Sequence, residues 1–98
     1  MHNPPIIDVI IPAYNEEKSI PKVIGDVPAI VRNIVIANNN STDSTGKVAE
    51  AAGAKVVFEP QKGYGKACLT AMDWIKKQEI QPDIVVFLDG DYSDYPED

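Results

Sequence analysis

The sequence predicts an α/β fold, a parallel sheet of four strands wound through three helices in the order βαβαβαβ. Two observations predict it. Four short runs rich in β-branched residues are almost wholly apolar rather than alternating, the pattern of strands covered on both faces. Segments with helical signals lie between them, and strands that alternate with helices imply parallel pairing through right-handed crossovers.

The strands are Ile6–Ile11 (IIDVII), Asn33–Ala37 (NIVIA), Lys55–Glu59 (KVVFE) and Asp83–Leu88 (DIVVFL), each closed by a polar or glycine-bearing loop. The first helix is expected over roughly Glu16 to Asp26. Its acidic start suits the positive end of a helix, and Pro21 fits only in the first turn. The second is expected over roughly Ser44 to Ala52, with Ser41 or Asp43 as cap and Gly53 as stop. The third is the clearest. Tyr64, Ala67, Cys68, Ala71, Met72 and Ile75 follow the i, i+3, i+4, i+7 stripe of a helix packed on a sheet. Pro82 keeps it from running into the fourth strand.

Composition narrows the partners. The chain has 98 residues, enough for one small domain over 1–98, and 44% of them are hydrophobic, as in a globular chain. The net charge of −6 argues against a nucleic-acid partner, since no basic stripe exists to release counterions. It also means that a diphosphate could not be held by Lys and Arg alone, so a divalent cation is the natural bridge. One cysteine, Cys68, cannot form an internal disulfide, and a reducing, cytoplasmic compartment is the default. His2 lies near the terminus and is given no catalytic role. No apolar run approaches the ~18–20 residues that span a membrane.

In open parallel sheets, ligands bind beyond the carboxyl ends of the strands. Here all four ends are polar or glycine-rich: Pro12-Ala13-Tyr14-Asn15-Glu16, Asn38-Asn39-Asn40-Ser41-Thr42-Asp43, Gln61-Lys62-Gly63-Tyr64-Gly65-Lys66 and Asp89-Gly90-Asp91. Asp89 and Asp91 are the sharpest pair. Residues i and i+2 of an extended strand end point to one side, and two carboxylates there repel unless a cation or donors sit between them. Mg²⁺ or Mn²⁺ suits such hard oxygens and keeps room for phosphate and water. A solvated acidic turn is the bland alternative, disfavoured here by the apolar strand before the pair and by the three other polar ends. Gly63-Tyr64-Gly65-Lys66 opens the third helix, where glycines permit close approach of an anion and Lys62 or Lys66 adds charge; an ordinary strand–helix turn is the alternative. Ser41 to Asp43 can simply cap the second helix. The asparagines before them offer donors and acceptors that suit a base edge or a ribose. Tyr14 reads equally as packing or contact. Glu16 reads as serving the helix end or accepting from ribose hydroxyls.

Taken together, V-I-I-P-A-Y-N-E-E, I-V-I-A-N-N-N-S-T-D-S-T, G-Y-G-K-A and L-D-G-D resemble family 2 of the glycosyltransferases, from Ile6 to Asp98. The pattern is similar to the dolichyl- and polyprenyl-phosphate sugar transferases. The resemblance implies the N-terminal part of a GT-A fold, a Rossmann-like sheet of order 3-2-1-4 with the fourth strand at an edge. It implies that Pro12, Tyr14 and Glu16 contact the nucleoside and that Asn38 reads the nucleobase. Asp89 would sit near ribose and metal, Asp91 would be the ligand bridging to the diphosphate, and Lys66 would lie near phosphate. Asn38 and Asn39 stand where the commonest form has D-D or D-N, and Ser93 where some lipid-phosphate transferases have glutamine. The activity implied is inverting transfer from a UDP- or GDP-sugar, with Mg²⁺ or Mn²⁺, to an acceptor that includes polyprenyl phosphate among its candidates.

Such enzymes carry the general base and acceptor site further along the chain, so no catalytic residue is expected here, and the chain by itself is expected to be inactive and part of a longer protein, for which membrane association is one expectation. A homodimer through the fourth strand is expected from its open edge. Two rivals share the metal. A nucleotidyltransferase would need a glycine-rich first loop, absent from Pro12–Glu17, and a receiver-like signalling module would need acids after the first strand.

Overall fold

The computed structural model describes residues 4–90. The elements are β1 (Ile7–Ala13), α1 (Ile20–Asp26), β2 (Val31–Asn38), α2 (Thr45–Ala51), β3 (Lys55–Phe58), α3 (Tyr64–Lys76) and β4 (Ile84–Phe87). All pairings are parallel and the strand order is β3-β2-β1-β4. The predicted topology therefore holds, with β3 and β4 at the edges.

The central strand β1 divides the core in two. Val9, Ile11 and Ala13 pack with Ile36 of β2 against Ile20, Val23 and Ile24 of α1 and Ala49 of α2. Ile10 points the other way and packs with Val35 and Ala37 against Ala67, Ala71 and Ile75 of α3. Adjacent strand residues alternate faces, so the apolar runs serve both layers. Right-handed crossovers place α1 and α2 on one face, and reversal of the winding direction after β3 sends α3 to the other. The small side chains of Ala67 and Ala71 let α3 lie close to the sheet, which brings its first turn near the ends of β1 and β2.

Three local expectations change. The helix α1 begins at Ile20, not near Glu16. The Glu16 carbonyl accepts from both Ser19 N–H and Ile20 N–H, so Glu16 to Ser19 form a turn before the helix. No acid lies in its first turn, while Pro21 falls there as expected. In α2 the cap position is Ser44, with no side-chain cap bond, rather than Ser41 or Asp43. Asp43 instead accepts from the N–H and hydroxyl of Thr45. The helix does stop at Gly53, whose φ of 97° is left-handed. Gly53 N–H donates to Glu50 and Ala54 N–H to Ala49, the paired bonds of a Schellman ending. In α3, Tyr64 does not join the buried stripe; it is 46% exposed.

Asp8 is the one charged residue inside the first apolar run, and it is fully buried. The Arg32 guanidinium grips it as a fork, Nε to Oδ1 at 3.1 Å and Nη2 to Oδ2 at 2.8 Å, and Asn33 N–H adds a third donor. Arg32 Nη1 also donates to the Ile80 carbonyl. Such bidentate pairing is what makes a buried carboxylate tolerable. The clamp ties β1, β2 and the α3–β4 connection at the amino ends of the strands, away from the polar loops. Among the described residues no helix is long and apolar enough to cross a membrane.

Candidate functional site

The polar loops meet at the carboxyl edge of the sheet, and side chains lace them together. Asn15, at φ 52°, is in the left-handed region that Asn tolerates better than most residues. Its Oδ1 accepts from the backbone N–H groups of Thr42 and Asp43, at 2.8 and 3.3 Å, and its own N–H donates to Ser41 Oγ. Glu16 N–H donates to Thr45 Oγ1 at 2.8 Å, and Ser44 N–H donates to Glu17 Oε1 at 2.8 Å. The β1 and β2 loops are thus one unit. Burial by itself would raise the Asp43 carboxyl, but the Thr45 hydroxyl and the N–H groups of Thr45, Glu17 and Asp43 outweigh it and hold it below its ordinary range.

Asn39 joins this unit to the loop before α3. It is 5% exposed. Its N–H donates to Ala13 O. Its Nδ2 donates to the carbonyls of Glu59 and Gln61, and its Oδ1 accepts from Gly63 N–H at 2.9 Å. Glu59 braces the same loop, accepting from the Thr70 hydroxyl and from Gln61 N–H. Those two bonds, with Lys66 nearby, hold its carboxyl below the usual range.

The result is an open cleft of about 320 Å³ lined by Tyr14, Asn39, Lys62, Gly63 and Tyr64. Tyr14 and Tyr64 are 42% and 46% exposed, and both line the cleft with aromatic surface of the kind that stacks on planar groups. The size is at the lower end of small-molecule pockets, which run from about 300 Å³.

Of the sequence-predicted residues, Tyr14 lines this cleft. Pro12 is in β1, in register with Ala37. Asn38 is buried, and its Oδ1 accepts from Ser41 N–H. Lys66 is exposed in the first turn of α3 and acts on Glu59; Lys62, not Lys66, is the lysine on the cleft wall. Glu16 reaches the fourth loop: its Oε1 lies 3.2 Å from where a side chain at Gly90 would begin. Asp89 is exposed just beyond β4. Asp91 and Ser93 lie outside the described residues. Asn39 was legible only as one of three asparagines, and Tyr64 was assigned to the helix stripe. Both are cleft residues, and the left-handed turn around Gly63 is the signal that separates Tyr64 from the stripe.

A divalent cation fits these residues as a shared ligand rather than a caged one. Among the described residues no group of three or more His, Cys, Asp or Glu could hold a metal. Gly90 is buried, and a Cβ there would meet Ile20, Glu16 and Ile11 at 3.1–3.2 Å, so the backbone beside Asp89 is closely seated. A carboxylate such as that of Asp89 would leave the remaining positions of Mg²⁺ or Mn²⁺ to phosphate, water and other ligands.

A parallel sheet of this order, with an open cleft and the exposed Asp89 at its carboxyl edge, has the architecture of α/β folds that bind ligands beyond the strand ends. The chain belongs to glycosyl transferase family 2, whose model matches residues 8–98. The nucleotidyltransferase and signalling readings are set aside by that membership. The chain is similar to Protein RfbJ of Shigella flexneri, 44% identical over 87 residues, covering 87% of this chain and 64% of that protein. It is similar to Glycosyltransferase AglJ of Haloferax volcanii, 36% identical over 92 residues, covering 93% of this chain and 29% of that one. In structure it matches glucosyl-3-phosphoglycerate synthase from Mycobacterium tuberculosis in complex with Mn²⁺, UDP and phosphoglyceric acid, with a TM-score of 0.74 and 32% identity over 89% of this chain. It spans 33% of that solved chain, so it corresponds to a part of these relatives.

Proposed function

We propose that this chain is the donor-binding part of an inverting glycosyltransferase, which holds a nucleotide diphosphate sugar, UDP-linked in the first instance, through a divalent cation. The observation that carries the reading is the cleft lined by Tyr14, Asn39, Lys62, Gly63 and Tyr64 on the same sheet edge as Asp89. The nucleoside stacks between the tyrosines, with Pro12 and Glu16 shaping the β1 side and Asn38 setting the β2 loop beneath it. Lys62, and Lys66 one turn further on, supply positive charge toward the diphosphate. Asp89 and Asp91 would hold the cation, which would supply positive charge toward the diphosphate. The presence of Mn²⁺ and UDP in the mycobacterial synthase supports this assignment; Mg²⁺ has the same oxygen preference.

The acceptor is proposed to be a phosphate, with polyprenyl phosphate as the leading form, on the similarity of the motifs to the lipid-phosphate sugar transferases; an anionic acceptor of this kind would need no general base. The chain alone is proposed to bind donor without transferring it. It is further proposed to form a homodimer through β4. Phe87 is 52% and Ile84 44% exposed on that edge strand, which carries no charge, whereas the other edge, β3, carries Lys55.

The test is calorimetric titration of UDP into the chain with Mn²⁺ and with EDTA. Binding that requires Mn²⁺ is expected. Equal affinity in both would remove the cation from the reading, and no binding at millimolar UDP in either would remove the nucleotide.

A further inference from the structure

Ser19 occupies the cap position of α1 yet makes no cap bond. A serine there ordinarily turns its hydroxyl to a backbone N–H of the first turn. This one donates instead to the carbonyl of Gly90, at 2.6 Å, across 71 residues of sequence. The Glu16 carbonyl, at 3.5 Å, is a much weaker alternative for the same proton.

The bond falls at a telling place. Leu88 N–H donates to Ile10 O at 3.0 Å, and this bond ties the end of β4 to β1. Two residues further on, the Gly90 carbonyl is held by Ser19. Asp89 is therefore fixed on both sides, by β1 before it and by Ser19 after it. Gly90 is seated so tightly against Ile11, Glu16 and Ile20 that a Cβ would meet them at 3.1–3.2 Å. With the backbone pinned there, the Cα–Cβ direction of Asp89, and so the side from which its exposed carboxylate extends, is set.

We infer that Ser19 is a positioning residue for the cation. Its hydroxyl fixes the peptide after Asp89 and thereby the direction in which that carboxylate meets Mg²⁺ or Mn²⁺. It touches neither cation nor nucleotide. The inference rests on the metal-dependent reading of the Asp89 turn. Groups that orient metal ligands typically cost about 10–100-fold in metal affinity when removed.

The experiment is UDP titration into the 98-residue chain and its Ser19→Ala, Ser19→Cys and Ser19→Thr variants, each with Mn²⁺ and with EDTA, alongside thermal unfolding. Ser19→Ala is expected to reduce the Mn²⁺-dependent gain in UDP affinity by about tenfold and to leave the affinity in EDTA unchanged. Ser19→Cys keeps the volume but offers only a weak donor, and it is expected to follow alanine. Ser19→Thr keeps the hydroxyl and is expected to restore the gain. A loss of the same size in EDTA would make Ser19 a general brace and overturn the inference, as would an unchanged gain in both Ser19→Ala and Ser19→Cys. Should the unsubstituted chain show no Mn²⁺-dependent gain, the metal reading fails and the role of Ser19 falls with it.

Discussion

Replacing Asn39 with alanine removes one carboxamide and, with it, three hydrogen bonds that no other side chain can supply. Those bonds run to Glu59 O, Gln61 O and Gly63 N–H. Each is worth about 0.5–1.5 kcal/mol net, so full loss of the three would cost about 1.5–4.5 kcal/mol. Gln61 and Gly63 are exposed, so their freed backbone groups can take up water, which favours the lower end. A loss near 2 kcal/mol is expected, which in a domain of this size lowers Tm by about 8–16 °C. Urea unfolding followed by circular dichroism measures it, and an unchanged m-value would show that the native state alone has been weakened. Asn39→Asp keeps the acceptor for Gly63 N–H but turns a carboxylate toward two carbonyls, so at pH 7 it is expected to lose at least as much. Asn40→Gly is the control. Asn40 makes one long bond, to Pro60 O at 3.5 Å, and has φ 57°, which glycine adopts freely, so a change under about 0.5 kcal/mol is expected. Equal stability for Asn39→Ala and Asn40→Gly would refute the claim that Asn39 staples the loops. A stable Asn39→Ala variant with undiminished UDP affinity would further show that the cleft wall stands without it.

Acid should weaken the fold through the same loops. Asp43 and Glu59 have folded-state values below the ordinary ones, so the stability they add is present above their unfolded values, about 3.9 and 4.3, and is lost as pH falls through the folded ones. The urea midpoint should fall from pH 5 to pH 3, less steeply in Asp43→Asn; matching slopes would deny Asp43 its part. On the β4 edge, Phe87→Lys should convert a dimer to a monomer in light scattering at high concentration, and a wild-type chain that is already monomeric would end the dimer proposal.

The strands were legible because an all-apolar run can only be a strand or buried helix, and these runs were too short for helices; their order came from the resemblance to the glycosyltransferase family. The loops were legible because topology alone gathers the carboxyl ends of parallel strands. What escaped were the partners of polar groups. Asp8 sits in the middle of an apolar run, and nothing local points to its partner Arg32, 24 residues away. Asn39 was indistinguishable from its neighbours until its three partners on the β3–α3 side were in place. The start of α1 slipped by four residues because Glu16 and Glu17 imitate a first helical turn, while their backbone forms the separate turn ahead of Ile20.

The pairing of the first strand with the last has a consequence for the order of assembly. The Asp8–Arg32 contact that accompanies β1–β2 pairing closes a span of 24 residues, whereas the Ile6–Asp83 contact that begins the β1–β4 seam closes one of 77. The longer closure costs about 1 kcal/mol more in chain entropy, and distant parallel pairings are the slow steps of such folds. During refolding, β1 thus acquires its β2 neighbour and the α1–α2 layer while its other side waits for β4. Tyr14 and the backbone of Asn39 are then expected to come together before Asp89 joins their edge, whereas the Asn39 side chain waits for the loop from Glu59 to Gly63.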